Sequence, residues 1–248
     1  MAGTTTAAAV TAAAGGLRLI GPTAFRTFRC VWMLEELGIA YDHDKTAAPW
    51  SDQAKQSHPM GKIPSLIVDR NGGNSSGESN QDSSSFTLYE SAAINTYLCD
   101  EQNRFIPPPR TPERAIYDRT ILFIMSELDS QSLWIHRKHA MLHHVFGKSD
   151  VAVDAAKEQF RRANNCLVDQ LNPYPLGDEF SAADVLYVHC LDWATTIGWT
   201  DTWDGSSGDK VDAYLRSCHD RPAYRRANKI RDAEREARKK TSTTTSKL

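Results

Sequence analysis

The chain has 248 residues and a mass of 27.7 kDa, room for one large domain or two small ones. Its 40% hydrophobic and 24% charged residues read as a soluble globular protein, and a net charge of −2 argues against a nucleic-acid binder that works through an overall basic surface. No apolar run approaches the roughly 18 residues of a membrane span. The five cysteines stand singly, without a Cys-x-x-Cys pair, which leaves neither a disulfide framework nor a zinc ribbon.

Residues 1–16 are small and polar and carry no secretory or transit signature, so a disordered N-terminus is expected. Leu17 to Gly21 (LRLIG) reads as a strand. The loop Pro22 to Thr27 follows, and a helix then places Phe28, Val31, Trp32, Leu34 and Leu37 on one face, with Gly38 as its stop. Amides opening that helix favour an anion such as a thiolate. Thr23 and Thr27 are the hydroxyls at hand. Lowering a thiol pKa by two units takes about 2.7 kcal/mol, within reach of one hydroxyl bond plus helix-terminal amides. The alternative is that both threonines are cap or surface residues.

Ile39 to Ala47 is a second strand candidate, followed by an irregular stretch. Gly61-Lys62-Ile63-Pro64 opens the next strand, Ile63 to Asp69. A cis Ile63–Pro64 bond there turns the main chain of Ile63 outward, ready to pair with an extended peptide; an ordinary trans proline is the alternative. Residues 70–85 (RNGGNSSGESNQDSSS) are expected to be a flexible insert in a hairpin whose second strand is Phe86 to Glu90. Ser91 then begins a helix running to Cys99. Its hydroxyl and amide suit a carboxylate, and Glu90 suits an ammonium, together matching an amino-acid head; a plain helix cap is the alternative.

Pro107-Pro108-Pro109 marks a linker over 105–110. Residues 111–240 carry helical periodicity throughout: Ala115 to Met141 as one long helix or two broken ones, Val151 to Leu171, a helix opened by a Ser181/Asp184 capping box, Val211 to Ser217, and Pro222 to Lys240. The domains are therefore 17–104, α/β, and 111–240, all-α. His136, His139, His143 and His144 fall at near-helical spacing, but no acidic motif completes a metal site, and an exposed helix face is expected. The basic run over 221–240 has acids interleaved and reads as a solvated helix end. Residues 241–248 read as a flexible tail. It ends in Ser246-Lys247-Leu248, the peroxisomal address, so import through the peroxisomal receptor is expected, with the cytoplasm as alternative.

Taken in order, His58-Pro59-Met60-Gly61-Lys62-Ile63-Pro64, Glu90-Ser91-Ala92-Ala93-Ile94 and Gly177-Asp178-Glu179-Phe180-Ser181-Ala182-Ala183-Asp184 resemble the glutathione S-transferase family over roughly 17–230. Trp32-Met33-Leu34-Glu35-Glu36-Leu37-Gly38 is similar to the first-helix ending of many microbial members. The resemblance implies a thioredoxin-like N-terminal domain that binds glutathione and an all-helical C-terminal domain that shapes the electrophile pocket. It implies that Glu90 and Ser91 hold the γ-glutamyl head, that the main chain of Ile63 before a cis Pro64 pairs with the cysteinyl unit, and that Lys62 lies near a tripeptide carboxylate. Trp50 or Lys45 are candidates for the glycyl end. Met125, Trp134 and His136 are the candidates for the second-substrate pocket, a homodimer is a family expectation, and no metal is implied.

At the position of the family's thiol-activating Tyr, Ser or Cys this chain departs, because Ala24 or Phe25 falls there. Thr23, Thr27 and Arg26 are then the candidates for the catalytic role, and Cys30 reads as a core residue. Three functions follow. One is transfer of glutathione's thiol to a small hydrophobic electrophile, in detoxification or metabolite modification. Another is a glutathione-binding or scaffold protein without chemistry. The third is a glutathione-dependent peroxidase or a biosynthetic-pathway enzyme.

Overall fold

The computed structural model describes residues 16–69, 85–203 and 205–245, with side chains described outside 205–206 and 241–245. Most of the expected N-terminal segment, most of the 70–85 insert and the Ser246-Lys247-Leu248 terminus lie outside the described residues. The N-terminal domain is built on a four-stranded sheet of order β2-β1-β3-β4, formed by β1 (Leu17–Ile20), β2 (Asp42–Asp44), β3 (Ser65–Asp69) and β4 (Ser85–Tyr89). β1 pairs parallel with β2 and antiparallel with β3, and β3 pairs antiparallel with β4, Ser65 facing Tyr89. The second strand is shorter than the Ile39 to Ala47 candidate: its ladder with β1 covers only Asp42 to Asp44.

α1 (Thr27–Leu37) crosses from β1 to β2 and is buried along almost its whole length. Gly38 closes it with a left-handed φ of 71°, donating its N–H to the Leu34 carbonyl. α2 (Asp52–Ser57) occupies the stretch that looked irregular. Six residues, one of them buried, give too little periodicity to register, yet Ser51 caps them, its side chain accepting from the Ala54 N–H. α3 (Ser91–Gln102) follows β4 and packs beside α1.

The C-terminal domain opens with α4 (Pro112–Phe123), capped by Thr111. The chain continues without a break through π-helical turns at Ile124–Leu133, the short α5 (Trp134–His136), and further π turns at Arg137–Met141. α6 (His143–Phe146), α7 (Asp150–Val168), α8 (Ala182–Thr196), α9 (Gly205–His219) and α10 (Pro222–Thr245) complete it. α8 is apolar on nearly every side and is the buried axis of the domain. Its capping box is fully formed: the Ser181 N–H donates to Asp184 Oδ2 at 2.8 Å, and Tyr214 donates to Oδ1 at 2.8 Å. Burial pushes the Asp184 carboxyl up, to about 6, against these donors.

The domains share one apolar cluster, in which α1 meets α8 and α10. The basic run over 221–240, which begins just before α10 and reads from sequence as solvated, is instead partly spent on α1. Arg221 donates to Glu36 at 2.6 Å, Arg226 donates to Glu35 at 2.6 Å, and the Arg231 guanidinium lies 4.1 Å from the centre of the Phe28 ring. Charge spacing along α10 alone holds no record of the acidic α1 end that it meets.

One backbone position seats the β1–α1 loop against the segment before β3. Gly21 has φ +114°, and a Cβ there would stand 2.8 Å from Ile63 Cβ and 2.9 Å from Thr27 Oγ1. Gly21→Ala is therefore expected to cost about 1–3 kcal/mol. Urea unfolding checks it, through a lower midpoint at unchanged slope; an unchanged midpoint contradicts the close approach.

Candidate active site

A cleft of about 470 Å³ lies between the two domains. One wall comes from the N-terminal domain and contains Trp50, His58, Lys62, Ile63, Glu90 and Ser91; the other comes from the helical domain and contains Met125, Trp134 and Arg137. Phe25 and Arg26 stand between them, on the loop that opens α1.

The N-terminal wall holds the residues expected to grip a peptide. Ile63–Pro64 is cis. Ile63 lies outside both ladders of β3, whose register starts at Ser65. Its N–H and C=O have no hydrogen-bond partner among the described residues. Glu90 is exposed and has φ 70°, ψ 113°, a conformation that non-glycine residues adopt at a cost. That turn points the chain from β4 directly into α3. Ser91 is buried at the first position of α3, so its hydroxyl sits among free helix-terminal amides. Arg29 Nη1 donates to Ser91 Oγ at 3.2 Å, which leaves the Ser91 O–H to donate into the cleft. Lys62 is exposed on the rim. Trp50 lines the cleft, while Lys45 points away, its Nζ 3.9 Å from Glu234.

Beneath this wall lies a buried charge cluster that the sequence did not reveal. Arg26 Nε donates to Asp129 Oδ2 at 2.8 Å, and Arg29 Nη2 donates to the same oxygen at 2.6 Å. The Arg29 side chain is fully buried and that of Asp129 only 4% exposed. Burial by itself would raise the Asp129 carboxyl, but the Arg26 and Arg29 charges outweigh it and hold the group well below the usual carboxylate range. Burial likewise opposes the Arg26 charge, and Asp129 overcomes it, so that the guanidinium is held more firmly protonated. Two guanidiniums against one carboxylate leave a surplus positive charge at the floor of the cleft. Arg26 is also flanked by the rings of Trp134 and Trp193, at 5.6 and 5.2 Å.

The other sequence candidates part company here. Thr23 is turned out of the cleft. Its N–H and its hydroxyl both donate to Glu234 Oε2 on α10, at 2.9 and 2.7 Å, and it faces a separate cavity between the loop, α8 and α10. Thr27 is fully buried and packed toward Gly21, outside the cleft lining. Of the three catalytic candidates, Arg26 alone lines the cleft. Cys30 is buried in the core, as expected, and burial pushes its thiol far up.

Met125 and Trp134 line the helical wall, whereas His136 packs edge-on against Trp199 at 5.1 Å and is absent from it. The next residue, Arg137, takes that place. His139 and His143 bond to the carbonyls of Gly147 and Ala140, at 2.9 and 3.1 Å, and no metal-compatible cluster of three or more His, Cys, Asp or Glu side chains forms among the described residues. His58 was missed as a site residue, though it stands inside the quoted motif. It is buried, its Nδ1 accepts from the Met60 N–H at 3.0 Å, and burial lowers its pKa.

A thioredoxin-like sheet domain joined to a helical bundle, with an inter-domain cleft built around a cis-proline segment and a strand-to-helix Glu-Ser turn, defines the glutathione transferase fold. Family models of the glutathione S-transferase N-terminal domain and C-terminal domain match residues 26–101 and 149–217. Together these spans take in more than half of the sequence, and the chain belongs to the glutathione S-transferase family. Among solved structures it is similar to glutathione transferases URE2P6 and URE2P8 from Phanerochaete chrysosporium, both in complex with oxidized glutathione. Identities are 19% and 20%, TM-scores 0.68 and 0.70, and the alignments cover 88% and 90% of this chain and 97% of each of those. A glutathione transferase from Pseudomonas putida with glutathione disulfide bound is 18% identical at TM-score 0.70, over 86% of this chain and 90% of that one. At these identities the likeness is one of fold. No curated protein sequence matches the chain.

The buried carboxylate makes a test of the cluster. Asp129→Asn leaves two guanidiniums without a counter-charge and is expected to cost about 3–5 kcal/mol at pH 7. Because the folded pKa of Asp129 is depressed, its contribution is complete above about pH 4 and declines as the pH falls through the folded value. The stability gap between wild type and variant should therefore narrow on acidification, read by urea unfolding at pH 7 and near pH 3. A gap that stays constant contradicts the pairing.

Proposed function

We propose that the protein binds glutathione in this cleft and transfers its thiol to a small hydrophobic electrophile. The observation that carries the reading is the surplus positive charge of the Arg26–Asp129–Arg29 cluster at the floor of a cleft walled by Ile63, Glu90 and Ser91. Glu90 takes the ammonium of the γ-glutamyl head. The Ser91 hydroxyl and the amides opening α3 take its carboxylate. The free main chain of Ile63 pairs with the cysteinyl unit, and Lys62 and Trp50 stand where the glycyl end would lie.

With no hydroxyl at Ala24 or Phe25, charge does the work that a hydroxyl bond does elsewhere. Arg26 faces the cleft and stabilises the thiolate, and Asp129, itself anchored by Arg29, holds the Arg26 guanidinium in place. The thiol proton leaves to solvent on binding. The sulfur lone pair then forms the carbon–sulfur bond, and the leaving group departs with its electron pair. Such electrostatic stabilisation is strongest where water is excluded, as between the walls of a half-closed cleft.

Arg26→Gln keeps a donor for Asp129 and removes the charge. Conjugation of a model aryl halide should lose about 10²–10³ in kcat/KM, and Arg26→Lys should recover part of it. Ser91→Ala and Glu90→Ala should each weaken glutathione binding by about 1–3 kcal/mol in calorimetric titration. Unchanged affinity in both variants contradicts the placement of the head group.

A second reading rests on the withdrawal of Thr23 to Glu234 and the burial of Thr27. With the Thr23 hydroxyl bonded to Glu234 and the Thr27 hydroxyl buried outside the cleft lining, the protein would hold glutathione without activating it. Tight glutathione binding with no turnover, and no effect of Arg26→Gln on the bound thiol, supports that reading over transfer.

A further inference from the structure

Arg137 differs from every other cation of the cleft. Arg26 and Arg29 share Asp129, and Lys62 stands on the rim in solvent. The Arg137 guanidinium is half-buried on the helical wall, 5.3 Å from the centre of the Phe25 ring, and no carboxylate pairs with it among the described residues. Burial, together with the neighbouring Arg26 charge, lowers its pKa; no acidic group pulls the other way. Arginine nonetheless stays protonated in proteins, so the charge is held there at a cost.

The surroundings of that charge are apolar. Phe25, Met125 and Trp134 line the same cleft, Phe25 directly beside the guanidinium, and aromatic faces suit a flat ring. An occupant that offsets the Arg137 charge therefore has an aromatic or alkyl body for these walls and a carboxylate for the guanidinium. A bidentate carboxylate pair is the strongest match that a guanidinium fork offers. In the functional reading above, the carboxylates of glutathione are taken by Ser91 and Lys62 on the opposite wall, which leaves Arg137 free for another acid.

Resting on the functional reading above, we propose that Arg137 is a specificity residue, and that the second substrate of this cleft is a carboxylate-bearing aromatic molecule docked on Phe25 and Trp134. Arg137 binds the acid through its guanidinium and orients the ring toward the thiol. Electrophiles without the acid fill the same apolar space more weakly.

Two unreactive probes of equal shape test this: para-methylbenzoate and the neutral para-methylbenzamide, titrated by calorimetry with and without saturating S-methylglutathione. Wild type should bind the acid at least about tenfold more tightly than the amide. That ratio should collapse in Arg137→Gln and be partly restored in Arg137→Lys, and added salt should erode it. Equal affinities for the two probes in wild type overturn the proposal. So does a tenfold loss of glutathione affinity in Arg137→Gln, which would assign the residue to the tripeptide. An acid preference that depends on Arg137 without any glutathione binding supports the role of Arg137 and contradicts the transferase reading, so the two failures are distinguishable.

Discussion

A single carboxylate, Asp129, joins the two halves of this molecule at the point where chemistry is expected. It belongs to the helical domain, and both of its guanidinium partners belong to the start of α1 in the sheet domain. Burial makes the arrangement stiff, because neither partner can leave without stranding a charge in a poorly solvated place. It also fixes the sign of the cleft. Two cations against one anion leave positive potential where a glutathione thiolate would rest, and Arg29 passes the influence on by donating to Ser91. The domain interface and the electrostatics of the site are thus one structure.

The loop between β1 and α1 is divided between two neighbours. Phe25 and Arg26 face the cleft, while Thr23 is held by Glu234 of α10 on the other side. Gly21 sets where the loop departs, with its N–H donating to the Asp44 carbonyl at 2.8 Å and its carbonyl bonded to His43 Nε2 at 2.8 Å. The last helix therefore does more than close the bundle. Through Glu234 it holds the buried Thr23 hydroxyl away from the cleft, and leaves the Arg26 guanidinium as the loop's polar group on the cleft lining.

Local signals made much of this legible in the sequence. The four strands, the Gly38 stop and the Ser181/Asp184 box each depend on residues a few positions apart, and the chain carries them openly; the cis bond before Pro64 and the role of Glu90-Ser91 come from the family resemblance, since locally a trans proline and a plain helix cap fit the same residues. The charge cluster has no local signal, because Arg26 and Asp129 are 103 residues apart and Thr23 and Glu234 are 211 apart. A loop threonine's direction is decided by such a distant partner. The exchange of His136 for Arg137 on the helical wall has a different cause. Residues 124–133 and 137–141 form π-helical turns, in which i→i+5 bonds rotate each successive side chain by less than an α-helix does. The family resemblance points to this segment and not to the side chain that faces the cleft, which these turns set.

On the proposed function, buried positive charge in place of a hydroxyl lowers the pKa of a bound thiol. This is tested most directly by titrating the ultraviolet thiolate absorbance of glutathione on the protein as a function of pH. The expected midpoint lies about one to two units below that of a free thiol near 8.5, and it returns toward the free value when Arg26 carries no charge. A midpoint equal to that of free glutathione, with the tripeptide demonstrably bound, would contradict it.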